Sequence, residues 1–430
     1  MDIACRPAMS RLRKRARRGV IPVIALLLVS MSGSGCAIFT LREVVPEQLA
    51  DEAELAGMPH VRVWGDAPSK SLASLASDDG RRGRAVGELS QRLARQPINI
   101  LAISGGGDNG AFGAGLLIGW SDAGTRPDFD LVTGVSAGAL SAPLVYLGRS
   151  RNAELRDVFT NYGRDDIYDP GIVTPLLGAG LVDSSPLEKL IAKYVDERFL
   201  LDIANERQKG RILLIGTTNL DAQRPVLWDM GRIALSRHPQ ALNLFRKVLL
   251  ASASIPGAFP PVRIKVRADG RFFEELHVDG GVTQQVFAST PSAPVTNRGP
   301  SRATAARLFI IRNGKINPEW EAVETGIFAI SRRSIATLIK NQGVGDLYRI
   351  FTRAQIEGTD FNLAAIPSWF SMSKEQSFER TYMQTLYDEG YRSGLVGYRW
   401  MKVPPGLTDK LKVSAPQPSD RAGLATSSPD

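Results

Sequence analysis

The chain has 430 residues, with 53 Lys+Arg against 44 Asp+Glu for a formal charge of +9; 43% of its residues are hydrophobic and 23% charged. That balance describes a globular chain, and two cysteines with three histidines (His60, His238, His277) exclude a disulfide framework and the usual four-ligand Cys zinc site. The net charge invites a nucleic-acid reading, so its position along the chain decides what it means.

Residues 1–35 carry seven basic residues, among them Arg6, Lys14 and Arg18, against Asp2 alone. A short apolar run follows (Gly19 to Met31), interrupted by Pro22 and shorter than a membrane-spanning helix needs, and then Ser32-Gly33-Ser34-Gly35. A positive region, an apolar region and a small-residue zone make a secretory signal peptide, so the chain is expected to be exported. Cys36 comes next, and the leader resembles a bacterial lipoprotein signal in which that cysteine is lipidated. Gly33 stands where an apolar residue, usually Leu, is found, and Gly33-x-Gly35 also fits an ordinary cleavage site that would leave Cys36 a thiol. Lipidation is the reading adopted, since exported chains seldom keep one odd cysteine. It would hold the protein at the periplasmic face of a bacterial membrane, the outer membrane being favoured. Losing the leader removes seven basic residues and one acidic, leaving 46 against 43, and no nucleic-acid argument survives.

Residues 36–96 read as an N-terminal spacer with one extended piece at 60–66. The catalytic region is placed at 97–400. Its first strand is ILAIS at 100–104, a continuous apolar run. The block Ser104 to Gly115 follows, in which Gly105, Gly106, Gly107 and Gly110 free the backbone N–H groups to converge on a phosphate or on an oxyanion. The same block satisfies G-x-G-x-x-G, a dinucleotide fingerprint, but Asp128 and Asp130 precede the next strand and do not end it. That strand, within 130–136, runs into Gly134-Val135-Ser136-Ala137-Gly138, a G-x-S-x-G between a strand and a helical stretch, which is the context of a nucleophile elbow. The apolar segment 172–182 lines either an acyl groove or the core. Ser185-Pro186-Leu187-Glu188 reads as a capping box opening a helix.

Residues 211–217 and 307–313 are two further buried-strand candidates, and alternating strands and helices indicate an α/β sheet covered on both faces. Between them, 251–261 reads as a helix end and a Pro-fixed loop, and His277-Val278-Asp279-Gly280-Gly281 offers bases for Ser136. Asp279 would make a Ser–Asp dyad, while His277 or His238 would make a triad; the residues alone leave these open. Ser373-x-x-Gln376 reads as the start of a helix stacking Phe378, Tyr382 and Leu386. Residues 288–304 read as a surface loop and 413–430 as a disordered tail.

The ordered set GGG-x-x-G at 105–110, G-x-S-x-G at 134–138, A-S-x-x-x-P-x-x-F-P-P at 251–261 and D-G-G at 279–281 resembles the patatin-like phospholipases over about residues 97–315. The resemblance implies a three-layer α/β/α fold with a mostly parallel central sheet. It implies hydrolysis of acyl esters of phospholipids or related lipids, with Ser136 as nucleophile, Asp279 as base and Gly105, Gly106 and Gly107 as oxyanion-hole glycines. Gly110, Gly134, Gly138, Gly280 and Gly281 support those motifs. Neither metal nor cofactor is called for. The family often carries Arg or Lys just before the last glycine of the block, where this chain has Asn109. The alternatives are a non-catalytic lipid-binding lipoprotein of the same fold and, behind it, a dinucleotide binder.

Overall fold

Short runs of Ile, Leu and Val with no polar interruption cannot face water on either side, and here they become the inner strands of one sheet. The computed structural model describes residues 42–67, 98–169, 182–288 and 306–407. The leader, Cys36, residues 68–96, 172–181 and 289–304 and the tail 413–430 lie outside the described residues. Every element below belongs to one unit, Val45–Asp430.

In chain order the elements are β1 (Arg62–Trp64), β2 (Asn99–Ile103), α1 (Gly110–Asp122), β3 (Leu131–Val135), α2 (Ala137–Leu147), α3 (Asn152–Thr160) and α4 (Arg164–Ile167). Then come α5 (Ser185–Tyr194), α6 (Glu197–Gln208), β4 (Ile212–Asn219), β5 (Arg224–Asp229), α7 (Met230–Leu235) and α8 (Ala241–Ser252). The last are β6 (Val262–Ala268), β7 (Arg271–Asp279), β8 (Arg307–Arg312), α9 (Ile327–Glu357), β9 (Asp360–Ala365) and α10 (Arg380–Leu395).

The sheet runs β1-β5-β4-β3-β2-β8-β9, with β7 also on β4 and β6 on β7. From β4 to β9 all pairings along that path are parallel; β5 is antiparallel to β4, and β1 to β5. Side chains alternate across it. Leu101 and Ile103 join a large core with α1, α2 and α8, while Ile100 and Ala102 join a smaller one with Leu347 and Ile350 of α9. The result is helix, mostly parallel sheet and helix in three layers, as the resemblance implies.

Two features go beyond the elements expected from the sequence. The β6–β7 hairpin turns at Asp269-Gly270, both at positive φ (45° and 74°), the Asp-Gly pair that two-residue hairpins favour. Helices α1 and α10 cross in close contact because Gly115 and Gly119 face the backbone of Tyr387 and Tyr391, while Gly390 and Gly394 face that of Phe112 and Leu116. A methyl group at any of the four would overlap main-chain atoms of the other helix.

Three expectations are corrected. The stretch taken as a spacer to residue 96 is part of the catalytic unit over 45–67: Ala53, Leu55, Met58 and Val61 are in the core, and β1 extends the sheet. The reason is Arg62, whose guanidinium stacks over Trp228 and pairs through both terminal nitrogens with Glu275 inside the protein. The capping box at Ser185 is not formed. Ser184 is the N-cap residue, and the Asp183 carboxylate takes the Ser185 N–H (2.9 Å) and hydroxyl (2.7 Å). Phe378 is not helical; α10 starts at Arg380, because the Asp108 carboxylate holds the Phe378 N–H (3.0 Å) and Lys374, with Phe378 at φ 58°.

Candidate active site

Strands β2 and β3 are neighbours in parallel register (Ile103 opposite Gly134), so the residues that follow them, the glycine loop and Ser136, emerge side by side at one sheet edge. That edge, beyond the C-terminal ends of parallel strands, is where open α/β sheets bind ligands. Ser136 sits at φ 55°, ψ −125°, a sharp bend between β3 and α2 that a side chain adopts only under strain. Gly134 and Gly138 allow it: a Cβ on Gly134 would strike the Gly138 carbonyl, and one on Gly138 the Ile103 carbonyl. The Ser136 N–H donates to Ser252 Oγ (3.0 Å), whose hydroxyl donates to the Gly216 carbonyl (2.6 Å). One buried serine at the end of α8 thus ties the elbow to β4.

Asp279 reaches Ser136 through β4. Val135, the last residue of β3, pairs with Gly216; Asp279, the last residue of β7, pairs antiparallel with Thr217 on the next rung. The two strand ends meet head-on beside one strand, which brings the Ser136 hydroxyl close enough to the Asp279 carboxylate to favour its ionised form. Asp279 Oδ1 accepts the Gly281 N–H (2.7 Å), its own N–H donates to the Ser254 carbonyl (2.9 Å), and its carbonyl accepts from Thr218 Oγ1 (3.0 Å). Burial pushes its pKa up to about 7, against the smaller downward pull of the Ser136 hydroxyl and the Gly281 N–H. Gly280 is held small by the Gly216 carbonyl, and Gly281 by Asp279 and Gln285.

The histidines are elsewhere. His277 is fully buried, with Nδ1 against Thr217 Oγ1 (3.0 Å) and Nε2 against Glu275 Oε2 (3.0 Å). Burial lowers its pKa despite Glu275, so it stays a neutral link in the chain Arg62–Glu275–His277–Thr217 behind the site. His238 accepts the Gln240 N–H and packs on Gly57. Neither faces Ser136.

The three glycines of the loop differ in role. The Gly105 N–H donates to the Gln285 carbonyl (3.1 Å), and a Cβ there would meet the Ser136 side chain, so Gly105 provides close approach and not a free donor. Among the described residues, the N–H groups of Gly106 and Gly107 have no partner. Gly106 abuts the Asn313 main chain, and Gly107 lies at φ 58° in the wall of the cleft beside Ser136. Gly110 packs on Phe159 and Ala137. Asn313, which the sequence did not single out, is the keystone of this loop. Its Oδ1 accepts the Gly113 N–H (3.1 Å), its Nδ2 donates to the Ser104 carbonyl (2.9 Å) and its N–H to Ser104 Oγ (2.8 Å). Its only sequence signal is its place directly after a buried strand. Asn109 accepts from the Tyr382 hydroxyl (2.7 Å), and the cation absent at that position arrives from a distance: Lys374 pairs with Asp108 (2.6 Å).

Ser136 opens into an apolar cleft of about 50 Å³ walled by Leu140, Phe159, Leu187, Leu190, Phe259 and Phe378. A second apolar chamber of about 40 Å³ adjoins it, sharing Leu140, Val158, Leu187 and Leu190 and reaching Phe199 and Leu249. Together they mark a path for a hydrocarbon chain between α2, α3 and α5. Residues 172–181, read as a wall of such a groove, lie outside the described residues; their flanks Asp169 and Asp183 pair with each other, and Tyr168 packs edge-on against Phe259 and Phe378. Among the described residues no three His, Cys, Asp or Glu side chains gather as metal ligands would, and no helix is long and apolar enough to cross a membrane.

Residues 101–290 match the sequence model of the family described as Patatin-like phospholipase. This segment is a patatin-like domain. Ser136, Asp279 and all four motifs fall inside it. The chain is also similar to a solved structure, VipD from Legionella pneumophila, at 12% identity and a TM-score of 0.38. That match covers 70% of this chain and 66%, just under two thirds, of VipD. No curated protein matches the chain in sequence. Members of the patatin-like family are generally hydrolases acting on lipid esters.

Proposed function

We propose that the protein is a serine lipid acyl hydrolase that cleaves acyl esters of phospholipids or related lipids. The observation that carries this is the Ser136 hydroxyl beside the buried Asp279 carboxylate, next to two glycine amides that have no partner among the described residues, at the mouth of an apolar cleft. Ser136 Oγ attacks the acyl carbonyl while its proton passes to Asp279. The N–H groups of Gly106 and Gly107 receive the oxyanion of the tetrahedral intermediate. Collapse expels the alcohol, which takes the proton back from Asp279, and leaves the acyl group on Ser136. Water then attacks the acyl-enzyme, Asp279 accepts its proton, and the fatty acid leaves with Ser136 restored. A carboxylate with a pKa near 7 is a far better base than a solvent-exposed aspartate, which is what burial contributes here.

We propose further that this activity sits at the periplasmic face of a bacterial membrane, with acyl chains on Cys36 as the anchor; the signal-like leader and Cys36 support that reading. Mass spectrometry of the mature N-terminus tests that anchor. Labelling of the purified protein by a fluorophosphonate, with fatty acid release from a phospholipid panel, tests the chemistry. Both signals are expected to vanish in Ser136→Ala. Lipid binding by the wild type without label or release would assign the chain to the non-catalytic class instead.

A further inference from the structure

Large apolar side chains exposed in one place need an explanation, because single exposed ones are ordinary and clusters are not. Among the described residues, Val396 (83%), Ile356 (81%) and Leu201 (61%) are exposed elsewhere, whereas several others share one region. Trp320 is 91% exposed, Ile327 75%, Leu338 71% and Trp369 66%, with Val323 and Ile330 also exposed. Their position follows from topology. Strands β8 and β9 run parallel to β2 and β3, so the segments after them, 313–326 and 366–379, leave the sheet at the edge that carries Ser136 and the glycine loop. Helix α9 must return from β8 to β9 and so begins at that same edge.

Local contacts hold these pieces around the cleft. Ile335 lies against Gly257, in the loop whose Ile255 and Phe259 wall the cleft of Ser136. Arg333 donates to Glu321 (2.9 Å) and to the Glu319 carbonyl, and Lys340 donates to Glu319 (2.7 Å), which lays 317–321 along the helix with Trp320 outward. On the helix itself Ile327, Ile330 and Leu338 fall within an arc of about 80°, with the small Ser334 between them and Arg332, Arg333 and Lys340 off that arc. After β9, Trp369 stands exposed beside the segment that Lys374 pins to Asp108 over the glycine loop.

We propose that this surface docks the protein on a lipid aggregate, with Trp320, Ile327, Ile330, Leu338 and Trp369 entering the headgroup–acyl boundary around the mouth of the cleft. The inference rests on the hydrolase reading for its choice of occupant. The path to Ser136 is apolar and narrow, so an acyl chain reaches it most directly from another apolar phase and not through water. An exposed Trp with a helical apolar stripe is the composition of an interfacial anchor. The cations beside the stripe already have carboxylate partners, so apolar insertion and not charge drives the contact. Docking is separate from any acyl anchor on Cys36: the anchor would hold the chain near a bilayer, and this surface would turn the cleft toward it.

The test uses the full chain on vesicles of phosphatidylcholine with brominated acyl chains, comparing wild type with Trp320→Phe and with the triple variant Ile327→Ser/Ile330→Ser/Leu338→Ser. Tryptophan emission is expected to be quenched by the vesicles, with a component that disappears in Trp320→Phe and persists in 0.5 M salt (on the order of the ionic strength that screens surface charge). The triple variant is expected to lose at least about tenfold in hydrolysis of vesicle phospholipid while its turnover of a soluble short-chain ester stays within about twofold, which also shows that it is folded. Absence of a Trp320-dependent quenching component, or vesicle hydrolysis unchanged in the triple variant, overturns the proposal. Self-association in the absence of lipid that the triple variant abolishes, with no quenching, assigns the surface to a second copy and overturns it too. Failure of the hydrolase reading is distinct: neither substrate would turn over, whereas the quenching measurement stands without turnover.

Discussion

The buried Asp279 carboxylate makes a stability prediction that can be separated from every other titrating group. Its pKa rises from 3.8 to about 7 on folding, chiefly through burial. Below 3.8 it is protonated in both states and contributes nothing to the pH dependence. Between 3.8 and about 7 the unfolded chain has released the proton and the native state still holds it, so stability falls as pH rises; above 7 the loss is complete. Asp279→Asn removes that dependence, and the amide suits the site, with its oxygen accepting from Gly281 and its NH2 facing Ser136 Oγ. The variant is therefore expected to gain on wild type as pH rises. From pH 5 to 8.5 the gain spans about two units of titration, or about 3 kcal/mol. Urea unfolding of both proteins at the two pH values measures it, since terms common to Asp and Asn cancel in the difference. A differential below about 1 kcal/mol, or one of opposite sign, would refute the claim that desolvation of an ionised base is stored in this fold.

Other consequences follow from the same geometry. For a soluble short-chain ester, kcat/KM is expected to fall about tenfold per pH unit below about 7 and to level off above it, because only ionised Asp279 accepts the Ser136 proton; a flat profile from pH 5.5 to 8.5 would exclude it as the base. Ser136→Gly and Ser136→Ala should both be inactive, yet the glycine variant should be more stable by about 1 kcal/mol in urea, because only glycine is at ease at φ 55°. Gly106→Ala drives a methyl group into the Asn313 main chain and is expected to cost more than about 3 kcal/mol of stability. Gly107→Ala meets only Phe378 at 3.9 Å, so it should fold, with kcat lowered by the shift of its N–H; circular dichroism and turnover separate the two.

What the sequence reveals here depends on whether a residue's task is local. β2, β3, β4 and β8 are buried on both faces, so their apolar runs are visible without context, and the nucleophile elbow is legible because its two glycines answer a steric demand made within five residues. β1 is three half-buried residues whose place is decided by Glu275 and Trp228, more than 160 positions away, and no local pattern encodes that. The choice between Asp279 and His277 as base is also non-local. Both lie on one face of β7, and what separates them is that β4 presents Thr217 and Glu275 lies close enough to occupy the imidazole. Ser252 and Asn313 look like any small polar residues after an apolar run; their roles arise from partners 116 and 209 positions distant. The Asp269-Gly270 hairpin was available to a local reading, since the pair alone favours that turn.

The dyad rests on the place where β4 changes neighbours. Through Gly216 it pairs with β3 on one side, and from Thr217 onward with β7, so nucleophile and base are delivered by strands of opposite direction to adjacent rungs. Neither strand can slide without breaking its own ladder, and Ser252 and Ser254, from the loop at the end of α8, bond to Gly216, Ser136 and Asp279 from behind. Rigidity is needed because a single carboxylate has no imidazole to swing between partners. The base must lie within reach of the hydroxyl before the substrate arrives, and the oxyanion donors must already be vacant. The fold supplies the second condition by giving the Gly105 N–H to Gln285, which fixes the loop and leaves Gly106 and Gly107 free. Gln285 is held in turn by Asp346 of α9, whose carboxylate accepts the Gln285 N–H (2.7 Å) and the Val286 N–H (3.3 Å). The helix that carries the exposed apolar stripe at one end therefore grips, nineteen residues from Ile327 along its length, the segment that sets the oxyanion loop. Contact with a lipid surface and the geometry of the catalytic centre share one rigid body.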